Sequence, residues 1–259
     1  GYDGYMTDHM IPTKVEYTGS VRDYYYENSG GVFDPRFDVV GPVKIDYSRH
    51  YARQTAGAQT LVSAALRAAD SEVNYSVYDT DGNREVDMVY FIFSGAGSNF
   101  AGNDETLIWP HASMVMNLSL DGVSFGRYAC STELYGAPAN KLLDGIGTIC
   151  HEFSHVLGLP DLYDVDYETG GQAEHPSKWS VMASGSYLNK SRTPCGYSLF
   201  ERYALGFATP RLITRSGEYG IIPLNEGDTP DGCRINSAVE NEFFLLESRT
   251  KTRWDEYLP

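Results

Sequence analysis

The sequence predicts an α/β (α+β) fold. It comprises a mixed twisted sheet, one long backing helix, a second helix that carries the chemistry, and a β-rich C-terminal part. Three observations predict it. Over residues 48–70 apolar side chains recur at helical spacing (Ala58, Leu61, Val62, Ala65, Leu66, Ala69), the pattern of an amphipathic helix. Met88-Val89-Tyr90-Phe91-Ile92-Phe93 is continuously apolar, as in a central strand buried on both faces. From residue 211 onward short apolar runs alternate with turns, as in Ile221-Ile222-Pro223 and Phe243-Phe244-Leu245-Leu246.

The elements follow in order. Ser20 with Asp23 three residues on forms a capping box, so a short helix runs from Val21 to Asn28 and stops at Asn28-Ser29-Gly30-Gly31. A strand is expected near Val39-Val40, ended by Gly41-Pro42. After the long helix and the apolar strand, residues 115–129 alternate and turn at Asp121-Gly122, a hairpin signal. The second half of that hairpin is expected to be a sheet-edge strand able to hold an extended peptide by β-augmentation. Asp144 is the expected N-cap of a helix over 145–157. Residues 194–205 read as a further helix ending at Gly206.

Composition bounds the function. At 259 residues, 42% hydrophobic and 21% charged, the chain is a globular protein with a substantial core. A net charge of −15 argues against nucleic-acid binding. No run of about 18 apolar residues is present, so no transmembrane segment is expected. No signal peptide is visible, and the start at Gly1-Tyr2-Asp3 reads as a processed or trimmed piece. Four cysteines, at 130, 150, 195 and 233, form no CxxC pair, so a cysteine metal or redox site is not expected. Buried thiols and disulfides remain equally open.

The chemistry concentrates in His151-Glu152-Phe153-Ser154-His155-Val156-Leu157-Gly158-Leu159-Pro160-Asp161. On a helix, His151 and His155 share one face a turn apart, so both imidazoles reach one ion. Glu152 lies beside that line, where a general base must stand to take a proton from water on a zinc ion. Gly158 can end the helix in a left-handed conformation, and Pro160 cannot continue it. Asp161 completes a three-ligand set. Glu174, His175 and Glu201 are the other candidate third ligands, Glu201 on a later helix in the manner of thermolysin. Met182 in Trp179-Ser180-Val181-Met182 has the character of a Met-turn, an apolar floor beneath such a site. Tyr187 is a possible oxyanion or substrate contact, and simple packing is its alternative role. His111 is assigned to packing.

A second signal is Asp79, Asp81, Asn83 and Asp87, with oxygen side chains spaced like the first half of a calcium loop. Arg84 replaces the tight-turn glycine and Tyr90 the bidentate glutamate, so a plain polar turn is the competing reading. The glycine-rich turn Ser94-Gly95-Ala96-Gly97-Ser98 lacks the GxxxxGK[ST] pattern and is not a phosphate loop.

With these residues in view, the chain resembles the catalytic domain of the immune inhibitor A family of secreted bacterial zinc metallopeptidases, in the metzincin clan. The carrying residues run from His151 through Asp164, joined by Gly19-Ser20-Val21-Arg22-Asp23-Tyr24, Asp81-Gly82, Val86-Asp87, Trp179-Ser180-Val181-Met182 and Phe243-Phe244-Leu245-Leu246-Glu247. The resemblance implies a metzincin-like fold and zinc endopeptidase activity on polypeptide substrates. It also implies structural calcium, secretion or a cell-surface location, and loss of a pro-segment. On this reading residues 1–209 form the catalytic domain, with an upper part to 158 and a lower part over 159–209. Residues 210–259 form a β-rich extension of it, expected to continue further in other members. A monomer is expected. The reading from another class is a degenerate, calcium-stabilised peptidase fold that binds surface proteins or glycans.

Overall fold

The computed structural model describes residues 17–47, 55–100, 107–136, 142–165, 175–224, 226 and 232–259. The chain forms two compact units, one of Gly1–Phe37 with Gly145–Pro259 and one of Asp38–Asp144. The architecture is mixed α and β, with three small sheets among the described residues.

Helix α1 spans Val21–Asn28. Its capping box forms as the sequence predicts. Ser20 Oγ accepts from the Asp23 amide at 3.1 Å, and the Asp23 carboxylate accepts from the Ser20 amide at 2.9 Å. Such a cap contributes about 1 kcal/mol. Tyr24 and Tyr25 are fully buried on this helix. Their hydroxyls donate to the carbonyls of Cys195 at 2.9 Å and Cys150 at 2.8 Å, so the aromatic bodies are buried with no unpaired polar tip.

In the unit of Asp38–Asp144, the expected strand at Val39-Val40 does not form; both residues are exposed and lie in irregular backbone. Helix α2 covers Thr55–Ala69, and the residues 48–54 assigned to its start lie outside the described ones. Val62 and Leu66 on α2 pack with Val86, Val115, Leu118, Val123, Phe125 and Tyr128 in the core of this unit. The strands are β1 Glu85–Val86, β2 Val89–Ala96, β3 His111–Met114, β4 Ser119–Leu120, β5 Val123–Phe125, β6 Arg127–Tyr135 and β7 Leu142–Leu143. One sheet runs β1-β5-β4; the other runs β2-β6-β3, with β7 also on β6. Strand β2 is parallel to β6, and β3 is antiparallel to it. Asp121 and Gly122 join β4 to β5 with φ of 50° and 81°, the left-handed pair that a two-residue hairpin turn needs.

Two strands take places other than those the sequence predicts. The apolar strand β2 is not central: among the described residues it pairs with β6 alone, and β6 is the inner strand. The alternating segment expected at an edge is not an edge, because β5 lies between β1 and β4, and β6 between β2 and β3. An apolar run reports what covers the two faces of a strand, whereas neighbour number depends on pairings made by distant residues.

The remaining unit contains α3 at Gly147–Leu157 and α4 at Leu199–Ala204. Strands β8 Arg211–Leu212, β9 Cys233–Asn236 and β10 Phe243–Leu246 form the third sheet, in the order β10-β9-β8. Ile221-Ile222-Pro223 is not a strand. Helix α4 is shorter than expected because Ser198 and Glu201 close a second capping box and set its start. Near the C-terminus, Trp254 packs edge-on against Tyr24 at 5.1 Å and donates to Glu27 at 2.9 Å. Arg249 and Asp255 form a buried ion pair at 2.5 Å. None of the four cysteines forms a disulfide.

Candidate metal centre

Helix α3 carries His151, Glu152 and His155. Asp144 is not its N-cap. The cap position is Ile146, which makes no side-chain hydrogen bond. The Gly147 amide instead donates at 2.7 Å to the carbonyl of Ser191. That approach requires glycine, because a Cβ on Gly145 would meet the same carbonyl oxygen at 2.0 Å and one on Gly147 would meet the Ser186 oxygen at 1.9 Å. At the other end Gly158 adopts φ 112°. The amides of Gly158 and Leu159 both reach back to the Ser154 carbonyl, at 3.1 and 3.0 Å, so the chain turns sharply as the glycine predicts.

This turn brings Asp161 back over the helix face. Its Oδ1 lies 3.2 Å from Nε2 of His151 and 3.3 Å from Nε2 of His155. Nδ1 of His151 faces the Val181 carbonyl at 2.8 Å, and Nδ1 of His155 faces the Leu159 carbonyl at 2.8 Å. A carbonyl only accepts, so each Nδ1 carries the proton and, in the neutral ring, each Nε2 presents a lone pair. Three lone-pair donors therefore converge, and Asp161 Oδ1 is buried with no hydrogen-bond partner. With both rings neutral that contact is repulsive, and either a proton on Nε2 or a metal ion relieves it. Ligands about 2.0–2.1 Å from a tetrahedrally bound ion stand ~3.3 Å apart, which is the spacing found. Among the described residues this is the one group of three His, Cys, Asp or Glu side chains close enough to share an ion.

The electrostatics follow from the packing. Burial lowers the proton affinity of both imidazoles, and the facing Asp161 reverses this, so with no cation both histidines are held above their ordinary values. Burial opposes ionisation of Asp161, but the two histidines hold its carboxyl well below the usual range. Glu152 is only 5% exposed. Burial raises its carboxyl to about 7, against the opposing pull of His151 and His155. Burial first, and then the nearby Asp161 carboxylate, hold the Tyr163 phenol un-ionised, with Glu152 and Tyr187 adding to the effect. Tyr187 is 40% exposed at the end of the short 3₁₀ turn Ser184–Tyr187.

Met182 is fully buried. Its carbonyl accepts from the Leu162 amide at 2.9 Å, next to Asp161.

Residues 4–205 match the family described as immune inhibitor A peptidase M6, catalytic domain. The chain belongs to that family. It is 28% identical to Immune inhibitor A of Bacillus thuringiensis subsp. alesti over an alignment 319 positions long, covering 94% of this chain and 45% of that protein. It is 29% identical over 232 residues to Pre-pro-metalloprotease PrtV of Vibrio cholerae serotype O1 (strain M66-2), covering 73% of this chain and 24% of that protein. The chain thus spans less than half the length of these relatives. Membership of a peptidase M6 family implies a metal, and the convergent donors fit one.

The rival third ligands of this M6 member are arranged otherwise. Glu201 is fully buried and accepts from Ser180 Oγ at 2.6 Å, the Ser198 amide at 2.6 Å and the Met182 amide at 3.2 Å. His175 is exposed, with Nδ1 accepting from the Ser177 amide at 3.0 Å. Glu174 lies outside the described residues. His111, in the other unit, bonds the Trp109 carbonyl and the Tyr128 hydroxyl, each at 2.8 Å. In the acidic loop, Asp79, Asp81, Asn83 and Asp87 mostly accept from the loop's own backbone and side chains, and only Asp79 Oδ1 is buried without a partner.

Sequence reasoning missed Tyr163, the carbonyls of Leu159 and Val181, and the placement of Glu201. The signal for Glu201 was present. Ser198-x-x-Glu201 is a capping box, which marks that glutamate as turned back on its own chain.

Proposed function

We propose that this chain is the catalytic part of a zinc-dependent endopeptidase, with His151, His155 and Asp161 as the metal ligands and Glu152 as the general base. The observation that carries the reading is the meeting of three lone pairs at tetrahedral spacing, beside a buried carboxyl raised to about 7. Nitrogen and carboxylate donors in a three-ligand set suit zinc and leave a fourth position for substrate chemistry. Zinc bound there supplies Lewis acidity and lowers the pKa of a water toward ~7.

The protein's own groups do the rest. Glu152, poised near neutrality, takes the proton of the attacking water and delivers one to the leaving amine. The Val181 and Leu159 carbonyls keep each imidazole in the tautomer that presents Nε2. Tyr163 stays neutral near the Asp161 carboxylate. Met182 closes the floor, and Tyr187, half-exposed at the site edge, donates to the developing oxyanion. The substrate class is polypeptide. The catalytic domain comprises residues 1–209, extended by 210–259, in a secreted or cell-surface monomer. One relative's printed name, a pre-pro-metalloprotease, supports maturation from a precursor.

Calcium at Asp79, Asp81, Asn83 and Asp87 belongs to the same proposal, supported by the buried, unpartnered Asp79 Oδ1. Cleavage of casein by the zinc-loaded chain tests the main reading. Activity should vanish with chelator, return with zinc, and be absent in Glu152→Ala. Cleavage by a contaminant-free, zinc-loaded Glu152→Ala sample would overturn the assignment of the base.

A further inference from the structure

Both halves of the candidate centre are referenced to one short turn. The Val181 carbonyl accepts from His151 Nδ1 at 2.8 Å. The next carbonyl, Met182, accepts from the Leu162 amide at 2.9 Å, and Leu162 directly follows Asp161. An imidazole ligand and the segment bearing the carboxylate ligand are thus set by consecutive carbonyls.

The turn is in turn held by one side chain from elsewhere. Glu201 Oε1 accepts from Ser180 Oγ at 2.6 Å and from the Met182 amide at 3.2 Å. Ser180 Oγ also accepts from the Met182 amide at 3.0 Å. Ser180, Val181, Met182 and Glu201 are all fully buried. Glu201 Oε2 completes the α4 capping box by accepting from the Ser198 amide at 2.6 Å. A capping box uses only that one contact. The two contacts of Oε1, to residues 19 and 21 positions earlier, serve nothing in α4.

We propose that Glu201 is a positioning residue for the metal centre: its carboxylate clamps the Ser180-Val181-Met182 turn, and the turn orients His151 and fixes the path of the Asp161-Leu162 segment. The inference rests on the three-ligand reading of His151, His155 and Asp161. It assigns Glu201 a role other than ligand or helix cap. Loss of the clamp loosens the turn, so the Val181 carbonyl no longer holds the imidazole at one angle. Metal affinity and coordination geometry change with it, although no ligand has been removed.

The test compares Glu201→Gln, Glu201→Ala and Ser180→Ala in the full chain, with circular dichroism to establish folding. Zinc affinity is read by competition with a chromophoric chelator, and geometry by the visible spectrum of the cobalt-substituted protein. Glutamine keeps an oxygen for Ser180 and Met182 but turns an NH₂ toward the Ser198 amide. Glu201→Gln should therefore lower Tm while leaving zinc affinity within about threefold of the native value. Glu201→Ala should weaken zinc binding by roughly 10–100-fold, shift the cobalt spectrum, and lower kcat with KM little changed. Ser180→Ala should move affinity and spectrum in the same direction by a smaller factor. A folded Glu201→Ala protein with native zinc affinity and native cobalt spectrum overturns the proposal, as does a Glu201→Gln variant as impaired as Glu201→Ala. Should Glu201→Ala fail to fold, a Ser180→Ala protein with unchanged affinity and spectrum overturns it. His155→Ala separates the two levels. If that variant still binds zinc at native strength, the metal-centre reading itself falls; if it loses zinc while the clamp variants do not, only the role of Glu201 falls.

Discussion

Glu152→Gln in the metal-free protein gives a prediction whose size follows from the packing. The carboxyl is buried, and its value rises from 4.5 to about 7. A carboxyl with a raised folded-state value favours folding while it is protonated. Its contribution is fully present below about pH 4.5 and is lost as pH rises through about 7. Linkage at ~1.4 kcal/mol per unit makes the loss between pH 5 and pH 8 about 2–3 kcal/mol. Glutamine keeps the shape and never ionises, and the cost of burying its amide does not depend on pH. The assay is urea denaturation of chelator-treated native and Glu152→Gln proteins at both pH values. The stability of the variant relative to the native protein should rise by about 2–3 kcal/mol from pH 5 to pH 8. The histidines and Asp161 titrate in both proteins, so the difference reports the carboxyl at 152 together with its coupling to His151 and His155. An equal difference at the two pH values would falsify the claim that burial raises this carboxyl, and would remove its qualification as a base near neutrality.

Other outcomes are expected. Asp161→Asn should weaken zinc binding by roughly 100-fold or more, exceeding the loss typical of outer-shell partners, as read by chelator competition. Gly158→Ala, at a φ of 112° with open space around the Cβ, should cost about 1 kcal/mol through backbone strain alone; an unchanged Tm in thermal melts would contradict this. Leu66→Ala in the core beneath α2 should cost about 2–4 kcal/mol, measured by urea unfolding. Calcium should raise Tm in the native chain and fail to do so in Asp79→Asn; equal responses would remove the acidic loop as a calcium site.

What was legible in the sequence was local. The Ser20 and Asp23 cap, the turn at Asp121-Gly122 and the stop at Gly158 each depend on the conformational preferences of a few adjacent residues, and each formed as read. The convergence of His151, His155 and Asp161 was legible for the same reason. One helical turn and one left-handed glycine bring all three donors together within eleven residues. The expectations that failed depended on distant partners. Asp144 has good N-cap chemistry, yet the Ser191 carbonyl took that role because two glycines let a remote loop close on the helix start. Strand β2 has a central strand's composition but sits at an edge among the described residues, because strand order is a property of pairings across the chain.

The sequence by itself therefore determined that His151, Glu152, His155 and Asp161 share one helical turn and its exit. Only the tertiary structure decided how those groups are held. It placed the Val181 carbonyl on His151, and it buried Glu152 to raise its proton affinity. It also directed Glu201, a candidate ligand by type, onto the turn beneath the site. Burial and long-range hydrogen bonding are sums over residues far apart in sequence, and no local pattern encodes them.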